Sequence, residues 1–151
     1  MLGAILGDTW ASPWEGIAHT RKNPSPTDDS FLTCACMEWM HDIAAQEPAM
    51  LLQSEDGRRL LQRKATYWLR TYGRRYAHQG FSKGFAAWAA SDEPASMHRA
   101  TNGCLMRQSP IAEEGLRCGY TEQTIQELAL LFAAITHNHP DALKSVRSHM
   151  F

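Results

Sequence analysis

The sequence lacks a long apolar run and has no excess of charge of either sign. No stretch approaches the roughly 18 consecutive apolar residues that a membrane helix needs, so we expect no membrane partner. The 15 Lys and Arg residues are balanced by 16 Asp and Glu residues, which gives a formal net charge of −1. Because domains that bind nucleic acid usually carry a basic excess, nucleic acid is not an expected partner either.

The sequence contains only four cysteines, and its first residues do not resemble a secretory signal. Met1 to Leu6 contains no basic residue, and Asp8 interrupts the apolar stretch. Four cysteines without a secretion signal favour reduced thiols and a cytoplasmic location. Cys34 and Cys36 lie about 200° apart around a predicted helix. We therefore expect buried small hydrophobic side chains at this pair rather than a zinc site.

Runs of alternating β-branched residues are absent, whereas apolar residues recur at helical spacing along most of the chain. A chain of this length can bury about 70% of its unfolded surface. The pattern predicts one all-α domain over residues 1–151 with six or seven helices. The first four predicted helices cover Leu2–Asp8, Thr27 to about Ala45, Asp56–Tyr76 and Phe81–Ala90. A fifth begins near Pro110, and a sixth is capped by Thr121 and stops at His137. A last short helix follows.

One face of the predicted helix near Asp56–Tyr76 is rich in arginine. Such a face suggests nucleic-acid binding, but a helix face in contact with solvent is the commoner structure. We interpret it as a face in contact with solvent, in agreement with the balanced net charge. The arginines are Arg58, Arg59, Arg63, Arg70 and Arg74.

Two adjacent carboxylates follow a threonine at the predicted start of the long helix, in Thr27-Asp28-Asp29. Mg²⁺ takes oxygen ligands and favours carboxylates together with water. The same three residue types also cap the first turn of a helix and complement its dipole. The residues alone leave both interpretations open.

Three other features suggest chemistry, and each has a simpler explanation. Glu15 follows two tryptophans and is a candidate acid or base, or an exposed loop residue. Asn102 and Gly103 lie in a long polar loop, where glycine and neighbouring amides can approach a phosphate or ribose, or simply form a turn. His137 is a candidate pocket residue, or a histidine that the dipole of the preceding helix stabilises.

The order and spacing of these features closely resemble the ADP-ribosylglycohydrolase family, which includes the dinitrogen-reductase-activating glycohydrolase and the ADP-ribosyl-acceptor hydrolases. The similar segments are Gly3-Ala4-Ile5-Leu6-Gly7-Asp8, Ser12-Pro13-Trp14-Glu15, Thr27-Asp28-Asp29, Asn102-Gly103 with Met106-Arg107 and Ser109-Pro110, and Thr136-His137. Ala100-Thr101 stands where Tyr-Gly often precedes Asn-Gly in that family.

The resemblance implies an all-α fold and hydrolysis of the bond between ADP-ribose and an acceptor side chain such as arginine or serine, with magnesium as cofactor. It implies that Thr27, Asp28 and Asp29 are metal ligands and that Glu15 and Asp28 are catalytic. It further implies that Asn102, Gly103 and His137 bind the substrate. The expected partner is an ADP-ribosylated protein or a small molecule that contains ADP-ribose.

The family has a later Gly-Asp-x-Asp-Thr motif that supplies further metal ligands, and these 151 residues do not contain it. The resemblance therefore implies a chain truncated at its C-terminal side relative to a typical member. Loss of the corresponding helices is expected to expose apolar stripes such as Ile125, Leu128 and Phe132. Large exposed apolar patches usually mark interfaces, so we expect self-association.

Two alternatives to a hydrolase remain. The first is a non-catalytic protein that binds ADP-ribose or has a regulatory role, and the second is a helical interaction domain whose site has decayed. The hydrolase needs both metal and ligand, the binding protein needs ADP-ribose only, and the interaction domain needs neither.

Overall fold

The computed structural model describes residues 1–14 and 23–150, and the regular elements in these ranges are helices. An isolated bridge between Met97 and His137 accompanies them. The all-α prediction is confirmed, although these ranges contain eight α-helices rather than six or seven. They are α1 (Leu2–Ala11), α2 (Asp28–Ala44), α3 (Pro48–Leu51), α4 (Glu55–Arg75), α5 (Lys83–Ala90), α6 (Ser109–Arg117), α7 (Glu122–Ala134) and α8 (Pro140–Met150).

Local capping explains where several helices begin. The Ser54 hydroxyl accepts a hydrogen bond from the Gly57 amide at 3.0 Å and starts α4. Ser82 accepts from the Phe85 amide at 3.2 Å, so α5 begins at Lys83 and not at Phe81 as predicted. Thr121 caps α7 as predicted, by accepting from the Thr124 amide at 3.2 Å. The unpredicted helix α3 is a single turn that has a proline at its start.

Helix α2 lies at the centre of the fold, and its buried face is built around Trp39. This side chain is fully buried, and its indole N–H donates to the Leu61 carbonyl oxygen of α4 at 3.2 Å. Its ring lies 4.8 Å from that of Phe132 in α7, centroid to centroid. One tryptophan thus joins α2, α4 and α7. Other buried residues of α2 are Leu32, Ala35, Cys36, Met40 and Ile43.

The predicted apolar stripe of α7 is not exposed. Ile125, Leu128 and Phe132 are each 0% exposed. The expectation that they form an open patch is wrong, because α7 packs with this face against α4, α6 and α8 of the same chain.

Exposed apolar side chains lie instead on α1, which has no buried residue. Leu2, Leu6 and Trp10 follow each other at four-residue spacing and are 66%, 59% and 79% exposed. Self-association stays a prediction, and α1 rather than α7 is the helix to test for it. None of the described helices is both long and apolar enough to cross a membrane.

The arginine-rich face of α4 is in contact with solvent and also bonds to neighbouring helices. Arg70 and Arg74 donate to the Ala89 carbonyl oxygen at 3.2 and 2.8 Å, near the end of α5. Positively charged donors at the C-terminal end of a helix satisfy carbonyl groups that have no partner inside the helix. Arg58 pairs with Glu127 of α7 at 2.8 Å. Arg74 is exposed and Arg58 and Arg70 are half-buried. The face is therefore in contact with solvent as interpreted, and these three arginines also join helices.

The expectation of buried, reduced cysteines at Cys34 and Cys36 is confirmed for Cys36 and only partly for Cys34. All four are free thiols. Cys36 is fully buried and Cys34 is half-buried, as their opposite positions on α2 allow. Burial raises the pKa of the Cys36 thiol, so this side chain is uncharged and behaves as a small hydrophobic residue.

The carboxylate of Asp8 joins α1 to the start of α2. It accepts hydrogen bonds from the Thr27 amide at 2.8 Å, from the Thr27 hydroxyl and from the Ser30 hydroxyl. Thr27 and Ser30 are only 2% and 3% exposed, so water cannot replace this acceptor. The position of the first turn of α2 therefore depends on Asp8.

We predict that Asp8→Asn lowers the free energy of unfolding by about 1–3 kcal/mol, because an amide offers these donors one acceptor oxygen and adds donors of its own. Urea denaturation measures the change. Asp92→Asn, at an exposed loop position, is the control and should cost less than about 0.5 kcal/mol. Equal stability of the two variants would show that Asp8 does not hold α2.

Candidate active site

One cleft, with a volume of about 300 Å³, brings together the start of α2, the loop between α5 and α6, and His137, which lies shortly after the end of α7. This volume is at the lower end of the range for small-molecule sites. Its polar and glycine lining consists of Asp28, Asp29, Ser82, Arg99, Thr101, Asn102, Gly103, Arg107 and His137. The five cleft residues that the sequence singled out for metal or substrate binding thus lie in one place, although their roles stay predictions.

A short backbone pairing holds the long loop against the end of α7. The Met97 amide donates to the Thr136 carbonyl oxygen at 3.0 Å, and the Asn138 amide donates to the Met97 carbonyl oxygen at 3.2 Å. This pairing explains why the polar segment before Asn102 is ordered. It also brings Arg99 and Thr101 to the same cleft as His137.

Asn102 and Gly103 form a tight 3-10 turn at the wall of the cleft. The Asn102 carbonyl oxygen accepts from the amides of Leu105 and Met106, at 2.7 and 3.2 Å. A Cβ atom on Gly103 would lie 3.4 Å from both Cε1 and Nε2 of His137. Glycine therefore leaves the edge of the imidazole open where any other residue would cover it.

His137 is a neutral histidine. It is 5% exposed, and burial, with smaller contributions from the positive charges of Arg107 and Arg99, lowers its pKa to about 4. Its Nδ1 lies 2.8 Å from the Thr136 hydroxyl, and its Nε2 lies 2.8 Å from the Thr101 hydroxyl. The alternative of a histidine favoured by a helix dipole is wrong, because that interaction requires a protonated ring.

Arg107 lies beneath the cleft and is fully buried. Its Nη2 donates to the Thr136 hydroxyl at 2.6 Å, and its guanidinium carbon lies 5.1 Å from the Phe132 ring centroid. Its Nε and Nη1 have no hydrogen-bond partner among the residues that the structure describes. Burial lowers its pKa to about 10, so the group is still a cation at neutral pH. Sequence reasoning did not predict Arg107 as a site residue, although Met106-Arg107 is one of the segments that resemble the family.

Thr27 does not line the cleft, in contrast to Asp28 and Asp29. Its hydroxyl donates to Asp8, and its side chain makes no capping bond to the α2 backbone. The capping alternative is therefore wrong for Thr27, because Asp8 binds its hydroxyl instead. The two aspartates remain in the first turn of α2, where negative charge complements the helix dipole.

The carboxylates of Asp28 and Asp29 fit a hydrated magnesium ion, because they are adjacent oxygen donors at one wall of an open cleft. In residues 1–14 and 23–150, no group of three or more His, Cys, Asp and Glu side chains gathers as a metal site. Magnesium binding by these two carboxylates therefore stays a prediction. Glu15, the candidate acid or base, lies outside the described residues.

A family model described as ADP-ribosylglycohydrolase matches residues 1–149 of this chain. The chain belongs to the ADP-ribosylglycohydrolase family. Comparisons with curated proteins and with solved structures gave no significant match. The family match spans every segment that forms the cleft, from Asp28 to His137.

We predict that His137 makes this ADP-ribosylglycohydrolase family member less stable in mild acid. The unfolded chain binds a proton at His137 below a pH of about 6.5, whereas the native protein binds it only near pH 4. The free energy of unfolding therefore falls as the pH drops through this window and is unaffected above it. Since the cleft is open to solvent, we expect at most about 2 kcal/mol between pH 7 and pH 5.

Urea denaturation of the wild type and of His137→Gln at both pH values tests this prediction. The wild type should lose more stability than the variant, and His78→Gln, at an exposed position, should behave as the wild type. The same loss in wild type and His137→Gln would contradict a lowered pKa.

Proposed function

We propose that the cleft binds ADP-ribose and that the protein hydrolyses the glycosidic bond between ADP-ribose and an acceptor side chain, with Mg²⁺ as cofactor. One observation carries the proposal. In a member of this family, two carboxylates and a cationic wall with a neutral histidine face a single cleft.

The charges around the cleft suit the two halves of such a ligand. Arg99 and Arg107 lie on the side formed by the long loop, and they favour an anionic diphosphate. Asp28 and Asp29 lie at the start of α2, and their oxygens can accept from ribose hydroxyls or bind a cation. Burial of a cation is costly, and a bound anion nearby would lower that cost.

The reaction breaks the bond between the anomeric carbon and the acceptor atom. A water oxygen forms the new bond to carbon, and the acceptor leaves with a proton. A magnesium ion held by Asp28 and Asp29 would supply Lewis-acid chemistry and orientation of the water and ribose hydroxyls. Glu15 is the proposed acid or base, and Asp28 is the second candidate catalytic carboxylate.

Binding of ADP-ribose without hydrolysis is the second candidate function. It is favoured by the small number of carboxylates in the cleft, because the described residues contain no group of three or more His, Cys, Asp and Glu side chains that could hold a metal ion. The walls for the diphosphate and ribose do not depend on the metal.

A release assay tests the proposal. We expect the protein to release ADP-ribose from peptides ADP-ribosylated on serine or arginine, and EDTA to stop the release. Asp28→Asn should reduce the rate by about a hundredfold or more. The control Asp56→Asn changes an exposed aspartate in the first turn of α4, and it should leave the rate unchanged.

The outcomes distinguish the two functions. Binding of ADP-ribose without release, and without dependence on Mg²⁺, would support the non-catalytic function and contradict hydrolysis. If the protein neither binds ADP-ribose nor releases it, both functions are contradicted.

A further inference from the structure

Four polar side chains form a continuous hydrogen-bonded chain from the buried core to the cleft. Arg107 Nη2 contacts the Thr136 hydroxyl at 2.6 Å, this hydroxyl contacts His137 Nδ1 at 2.8 Å, and His137 Nε2 contacts the Thr101 hydroxyl at 2.8 Å. We refer to these four residues as the relay. We propose that the relay has one fixed direction and holds the Thr101 hydroxyl as a hydrogen-bond donor to a phosphate oxygen of a nucleoside diphosphate ligand.

The direction of the relay begins at Arg107, because a guanidinium can only donate. The Thr136 oxygen accepts from Nη2, and this hydroxyl is fully buried. Its remaining polar contact in the described residues is Nδ1 of His137. A buried hydroxyl proton without an acceptor is costly, so the Thr136 hydroxyl donates to Nδ1.

The neutral imidazole then carries its single proton on Nε2. From there it donates to the Thr101 oxygen at 2.8 Å. Because this oxygen accepts from Nε2, the proton of the Thr101 hydroxyl points elsewhere. Thr101 is exposed and lines the cleft, so this proton is available to a ligand.

Gly103 leaves the hydroxyl accessible. A Cβ atom at this position would lie 3.9 Å from the Thr101 oxygen as well as 3.4 Å from the imidazole edge. Its absence leaves room for a ligand oxygen beside both groups. The cationic side chains of Arg99 and Arg107 at the same cleft select an anionic acceptor, and this makes a phosphate oxygen the best match.

The relay is thus more specific than a structural network that merely satisfies buried groups. A structural network requires only that each polar atom has a partner. The relay requires that Nε2 and not Nδ1 carries the proton. It also requires that removal of the Thr101 hydroxyl weakens binding of a ligand that has a phosphate. Arg107, Thr136 and His137 act here as positioning residues for Thr101. The identity of the ligand rests on the proposed function, whereas the direction of the relay does not.

The first test is the ¹⁵N NMR spectrum of His137 in the ligand-free protein near pH 7, assigned by comparison with His137→Gln. Protonated and unprotonated ring nitrogens give well-separated shifts, and we expect Nε2 to be protonated. Thr136→Val, which removes the donor to Nδ1, should change the Nδ1 shift, and Thr136→Ser should restore it. A proton on Nδ1 in the wild type would overturn the relay.

The second test is calorimetric titration with ADP-ribose. Thr101→Val should weaken binding about tenfold or more, as expected for the loss of a hydrogen bond to a charged group, and Thr101→Ser should restore it. The control Thr66→Val makes the same change on α4 away from the cleft and should leave the affinity unchanged. Binding of adenosine, which has no phosphate, should change less than twofold in Thr101→Val.

An unchanged affinity of Thr101→Val for ADP-ribose, or an equal loss for adenosine, would overturn the assignment of Thr101 to a phosphate oxygen and leave the proposed function intact. Failure of the wild type to bind ADP-ribose would contradict the proposed function and the ligand half of this inference together. The NMR result decides the direction of the relay in either case.

Discussion

The guanidinium of Arg107 lies fully buried under the cleft, and the neighbouring side chains are arranged around its charge. It contacts Thr136 and the ring of Phe132, so it joins the loop that carries it to α7. It also contributes to the lowered pKa that keeps His137 neutral. Two of its nitrogens lack hydrogen-bond partners among the described residues. Salt screens a buried charge less than an exposed one, so this cation acts strongly on the groups around it.

The opposite wall of the cleft depends on a second buried interaction. Asp8 holds Thr27 and Ser30, and thereby places the first turn of α2 with its two aspartates. The cleft thus has negative side chains on a segment that a carboxylate of α1 positions. It also has positive side chains on the loop that a backbone pairing holds at Met97.

Helical spacing in the sequence was sufficient to predict α2, α4 and α7, because their buried residues recur every three or four positions. Residue types and order also singled out Asp28, Asp29, Asn102, Gly103 and His137. The sequence could not show that Asp8 binds Thr27, that α7 is covered, or that His137 is neutral. Each of these depends on residues that are distant in sequence: Arg107 is 30 positions from His137, and no local pattern encodes their proximity.

A crystal structure of the protein soaked with ADP-ribose and Mg²⁺ tests most directly whether this cleft is the functional site. The account predicts the diphosphate beside Thr101, Gly103 and Arg99, and a hydrated magnesium ion on Asp28 and Asp29 near the ribose. ADP-ribose bound elsewhere on the surface, with the cleft containing only water, would contradict it.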